Sequence, residues 1–113
     1  MYAYATDWGH YSLDGVDSLH DAWLLSVQFS YQEQSLVIEL LSPRHDRKHS
    51  LTYWNVECYA IDLDVKFRFG DRDVLVHEFR AEEGRVVHEI AFPNKKWISV
   101  RAADIAVKTE LFS

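Results

Sequence analysis

Trp23-Leu24-Leu25-Ser26-Val27-Gln28-Phe29-Ser30-Tyr31 alternates apolar and polar side chains along most of its length. Successive side chains of an extended backbone point to opposite faces. Trp23, Leu25, Val27, Phe29 and Tyr31 therefore fall on one side and Ser26, Gln28 and Ser30 on the other, the pattern of a half-buried strand. A polar turn, Gln32-Glu33-Gln34-Ser35, leads into Leu36, Ile38 and Leu40 alternating with Val37 and Glu39, which completes a hairpin.

The same period recurs downstream. Pro43 to His49 reads as a polar surface loop, because Pro43 lacks the N–H a ladder needs. Leu51 to Tyr59 is expected to form one strand, with Trp54, Val56 and Cys58 on one face and Tyr53, Asn55 and Glu57 on the other. Ile61, Leu63, Val65, Phe67 and Phe69 alternate with Asp62, Asp64, Lys66 and Arg68 in a further strand, and Gly70 to Asp73 turns the chain. Val74 to Phe92 reads as a hairpin around Ala81-Glu82-Glu83-Gly84-Arg85. A type I turn closed by a left-handed glycine there would oppose Ala81 to Arg85, Glu78 to His88 and His77 to Glu89. Pro93 to Lys96 turns into Trp97, Ile98 and Val100; Ala102-Ala103 marks a bend; Ile105 to Leu111 is a last alternating run.

These segments predict an all-β domain of about seven to eight antiparallel strands, a sandwich or partly open barrel, with no βαβ alternation and no internal repeat. The whole chain, 1–113, is expected to be one domain, with an irregular N-terminal arm over 1–21 and a β core over 22–112. In the arm, Asp17 is placed to cap a helical turn that sets Leu19 beside Trp23. The arm's aromatics, Tyr2, Tyr4, Trp8 and Tyr11, suit a lid over an open edge of the core.

Composition narrows the setting. A single cysteine, Cys58, excludes an internal disulfide, which favours a cytoplasmic protein. The start of the chain lacks a cationic leader and an apolar core, so no signal peptide is expected, and no run approaches the ~18 apolar residues of a membrane span. Asp7, Asp14, Asp17, Asp21, Glu33 and Glu39 are the charged residues before Arg44, while the remainder carries equal numbers of acids and bases. The formal charge of −6 thus originates in that first stretch, which argues against binding to nucleic acid or anionic membranes.

Chemistry-bearing residues gather in few places. His77-Glu78 and His88-Glu89 are candidate metal ligands, since imidazole and carboxylate suit zinc or iron. In the expected register each sheet face receives one His and one Glu, so a third ligand must come from elsewhere; cross-strand pairing that stabilises a hairpin accounts for the same residues. The His-Glu-x-x-His pattern of helical metalloproteases is not present. The second candidate set lies in the arm, where His20-Asp21 follow Asp7, His10, Asp14 and Asp17; turn and cap roles explain these as well.

Cys58 is expected to be buried on the Trp54 and Val56 face as a small hydrophobe, with no base beside it. With four glycines and no nucleophile elbow or phosphate loop, the sequence assigns no catalytic residue and no cofactor. Partner contacts are expected at acidic Asp14, Asp17 and Asp21, or at the basic loop residues Arg44, Arg47 and Lys48 with His45 and His49. A barrel mouth lined by Trp23, Trp54 and Trp97 would instead take a small ligand.

Ser18-Leu-His-Asp-Ala-Trp-Leu-Leu-Ser-Val27, a hairpin, and then Leu51-Thr-Tyr-Trp-Asn-Val56 resemble the opening of several small bacterial β-domain families that begin with a hydrophobic-His-Asp motif. Some members are immunity proteins of polymorphic toxins. The resemblance covers residues 18–60, carries over no catalytic residue, and implies a cytoplasmic domain that binds a protein. The leading expectation is therefore a non-enzymatic protein-interaction domain. The alternatives are a small metal-binding protein or metal-dependent hydrolase, and a small-ligand-binding β domain. Homodimerisation through an edge strand is also expected of an open sheet.

Overall fold

A computed structural model describes residues 2–4, 21–63 and 72–111. The strands are β1 (Tyr2–Tyr4), β2 (Trp23–Ser30), β3 (Ser35–Leu41), β4 (Arg47–Trp54), β5 (Cys58–Asp62), β6 (Val76–Glu82), β7 (Arg85–Ala91), β8 (Trp97–Ala102) and β9 (Asp104–Leu111). They form two antiparallel sheets, in the orders β1-β9-β4-β3-β2 and β5-β8-β7-β6. The fold is all-β, as the alternation predicts, and no described residue is helical, so none lies in a helix able to cross a membrane.

Leu36, Ile38, Leu40, Leu51, Tyr53 and Ile105 from the first sheet meet Phe79, Val86, Ile90, Ile98 and Val100 from the second in one core. Each set follows the two-residue period of its strand, as burial of one sheet face requires.

Local geometry departs from simple alternation at four points. In β2 the register with β3 shifts between Leu24 and Ser26, and the extra residue, Leu25, is exposed. This bulge puts Leu24, and not Trp23 or Leu25, on the core face. The polar loop expected over 43–49 is shorter than its composition implies. Ser42 accepts a bond from the Arg47 amide through its hydroxyl and donates through it to Asp46 Oδ1, closing the turn over 43–46 and releasing Arg47, Lys48 and His49 to pair in β4.

The strand expected over Leu51 to Tyr59 breaks at Asn55, whose φ is +50°, a left-handed conformation that Asn tolerates. There the chain leaves one sheet for the other. The Ala103 N–H donates to the Trp54 carbonyl at 3.0 Å and the Glu57 N–H to the Arg101 carbonyl at 2.8 Å, so the β4–β9 ladder continues round a corner as β5–β8. Strands that switch sheets at a bend are how packed sheets share such a corner. The faces of β4 are the reverse of those expected: Tyr53 is buried and Trp54 exposed. Cys58, expected in the core, is exposed past the bend.

The β6–β7 turn is the fourth departure. Glu83 (φ +52°) and Gly84 (φ +76°) are both left-handed, which is a two-residue type I′ turn and not the three-residue loop expected. Glu82 therefore faces Arg85, and the register moves by one residue.

Of the arm, only β1 and Asp21 are described: β1 pairs with β9, Tyr2 opposite Lys108. The expected cap at Asp17, the lid residues Trp8 and Tyr11, and the strand residues from Asp64 to Phe69 lie outside the described residues. Beyond them, Asp73 bridges to Trp23, and residues 72–74 run beside the start of β2 before the chain enters β6.

Candidate functional site

A one-residue register change sends every side chain of a strand pair to the partner it was not expected to have. The cross-strand pairs Glu78–His88 and His77–Glu89 do not form. Glu78 lies opposite Glu89, His77 opposite Ile90, and His88 opposite Phe79. Both histidines consequently point into the core, and both glutamates lie on the outer face.

The histidines join a chain that spans the two sheets. Tyr53 Oη of β4 lies 2.6 Å from His88 Nδ1 of β7, and His88 Nε2 lies 3.1 Å from His77 Nδ1 of β6. His88 is fully buried and stacks on Phe79, with ring centroids 3.8 Å apart. Burial holds the His88 imidazolium well below its ordinary titration range, with repulsion from His77 adding to the effect. It also lowers His77 and pushes the Tyr53 phenol well up. The three groups are thus neutral at pH 7. The bonding is complete when Tyr53 donates to Nδ1 of His88, His88 Nε2–H donates to Nδ1 of His77, and the remaining His77 proton sits on Nε2.

This arrangement conducts hydrogen bonding from one sheet to the other but offers a metal only two imidazoles. Among the described residues no three or more His, Cys, Asp and Glu side chains form a group able to hold a metal ion. His20 lies outside the described residues, and Asp21 is an exposed turn residue with φ +66°.

The outer face of the second sheet carries a groove of about 500 Å³. In register across the four strands stand Glu78, Glu89, Ser99 and Ala60, and the adjacent outer row contains Ala91 and Trp97. The backbones of His77, Ile90 and Ile98 lie between these rows, so the groove crosses the sheet with small side chains at its base and Trp97 standing beside them, 40% exposed. Among the described residues its lining includes two carboxylates and no Lys or Arg.

The neighbouring outer row, with Arg80 and Arg101, is already neutralised. Arg80 pairs with Glu82 and, at 2.5 Å, with Glu89; Arg101 reaches Glu57 at 3.2 Å and Glu82 and Glu83 at 3.4 Å.

A third feature lies where the sheets' edge strands approach. Phe29 of β2 and Tyr59 of β5 are ring neighbours at 5.2 Å across the sandwich, and Phe29 meets Tyr31 edge-on at 4.9 Å. All three are exposed, Tyr31 by 86%. Tyr59 is separated from Tyr31 by two strands and a bend in sequence, so only the register of β5 reveals the cluster.

The remaining expected site residues disperse. Arg44 is exposed in the β3–β4 turn, Arg47 begins β4 beside Asp46, and Lys48 pairs with Glu39 at 3.0 Å. The Ser26 hydroxyl donates to the same Glu39 carboxylate at 2.7 Å; that bond, then Lys48, lowers its pKa. His49, expected on a surface loop, is buried against Thr109 Oγ1 at 2.9 Å, while His45 lies on the Trp23 ring. Asp14 and Asp17 fall outside the described residues. Trp23, Trp54 and Trp97 do not line a common mouth: Trp23 lies beside the β3–β4 turn, Trp54 at the corner and Trp97 in the outer groove.

Comparison with protein-family models, with curated proteins and with solved structures finds no match for this chain.

Proposed function

We propose that this chain is a non-enzymatic protein-interaction domain that receives its partner along the seam between β2 and β5. The observation that carries the reading is the exposed Phe29, Tyr31 and Tyr59 cluster, which joins one edge strand of each sheet. Aromatic side chains are enriched at the centres of protein interfaces, because they bury large area with few torsions to fix. Among the described residues, β5 and β2 beyond Leu24 have a neighbouring strand on one side only, which leaves backbone groups for an added strand.

The resemblance of residues 18–60 to bacterial immunity-protein families supports a toxin as that partner and the cytoplasm as the place of action. Affinity capture from the source cells with the native chain and with a Tyr31→Ser, Tyr59→Ser variant tests this. A stoichiometric protein held by the native chain and lost from the variant is expected. Equal recovery on both baits, or no partner on either, removes the reading. Sedimentation of the purified chain separates a second copy at the same edge from a foreign partner.

A further inference from the structure

The groove on the outer face of the second sheet is a different surface from the seam, and its chemistry is different. We infer that it binds an extended protein segment bearing an arginine or lysine side chain. Its lining draws on all four strands, and three inter-strand spacings of ~4.8 Å give it a length that an extended segment of about four residues fills. Alanine and serine at its base, Ala60, Ala91 and Ser99, leave room for a backbone to lie close to the sheet.

Charge selects the occupant. Glu78 has no ion-pair partner among the described residues, whereas the flanking Arg80 and Arg101 are consumed by Glu82, Glu89, Glu57 and Glu83. A cation entering the groove therefore meets Glu78 without having to displace an arginine. Trp97 lines the same groove two strands from Glu78, and indole is the aromatic ring that attracts a guanidinium or ammonium most strongly. An acidic segment would gain nothing from Trp97 and be repelled by Glu78, whereas Glu89 is already paired with Arg80. The chain's net charge of −6 steers a basic segment toward the molecule as a whole.

The experiment is a titration of the ¹⁵N-labelled full chain, followed by amide and indole resonances, with a capped Gly-Arg-Gly-Arg-Gly peptide and its glutamate counterpart. The arginine peptide is expected to shift Glu78, Glu89, Ser99 and the Trp97 indole N–H, and the glutamate peptide to shift none of them. Glu78→Gln should weaken the arginine peptide by about three-fold, the scale of one exposed charge pair. Ser99→Phe, which fills the base, should abolish its binding, while Glu110→Gln on the other sheet leaves it unchanged. Shifts scattered over the acidic surface, no shifts at all, or affinity indifferent to Glu78→Gln would each overturn the inference. The Tyr31→Ser, Tyr59→Ser variant should bind the peptide like the native chain, so failure of the seam reading and failure of this one are read separately.

Discussion

The Tyr53 hydroxyl lies 2.6 Å from His88 Nδ1, although the two residues belong to different sheets and the surrounding core is otherwise almost entirely hydrocarbon. Tyr53→Phe leaves that nitrogen buried and without its partner, which costs about 1–3 kcal/mol. Urea denaturation should show the loss with an unchanged m value. A variant as stable as the native chain would show that the contact contributes nothing net.

Acid should act on the same chain of groups. His88 and His77 both titrate below their unfolded range because burial disfavours their cations. The unfolded state consequently takes up protons first, so stability is full above about pH 6.5 and falls as pH drops below it. Each histidine still neutral in the native state one unit lower costs about 1.4 kcal/mol. Glu39, whose carboxyl is lowered by Ser26 and Lys48, adds a second and smaller loss only as pH falls below the ordinary carboxylate range. Denaturation midpoints compared at pH 7.5 and 5.5 isolate the histidine step; equal midpoints would contradict it.

The β6–β7 turn offers the opposite sign of change. Glu83 holds φ +52° next to Gly84 at +76°, and a type I′ turn favours Asn-Gly. Glu83→Asn should raise stability by about 0.5 kcal/mol, less whatever its exposed 3.4 Å pair with Arg101 contributes. Gly84→Ala should lower it by about 1 kcal/mol through backbone strain alone, since a Cβ there would touch nothing within 4 Å. Thermal melting of both variants reads the two signs.

Cys58 supplies a chemical test of the corner. Because Asn55 turns β4 out of its sheet, the thiol is exposed on β5. It should react with a disulfide reagent in the native state without denaturant. Protection until unfolding would place it back in the core.

Much of the fold is readable from side-chain period alone, because burying one face of a strand leaves a two-residue signature, as Leu36, Ile38 and Leu40 display. What escapes is backbone geometry that side-chain type scarcely encodes. Nothing in Leu24-Leu25-Ser26 announces a bulge, and Glu83 is an ordinary residue in an unusual conformation. Continuous alternation from Leu51 to Tyr59 hides the break at Asn55, where the only local signal is an asparagine. The candidate site shows the same division. His77 and His88 stand out as residue types, but alternation alone puts Tyr53, which bonds to His88, on the face opposite Trp54, Val56 and Cys58 and away from the core. Glu78 and Trp97 come to share one groove only through the registers of the β6–β7 and β7–β8 pairs.

The shared corner also orders the folding reaction. The β2–β3 and β6–β7 hairpins close over turns of a few residues, while Cys58 cannot meet Arg101 until the whole β6–β7 hairpin between them has been gathered in. That long closure carries the larger entropy cost and is repaid only when β5, β8 and β9 dock together. The two hairpins therefore form early and locally, and the carboxy-terminal strand, pairing with both β1 and β4, acts as the latch that commits the chain to its native topology.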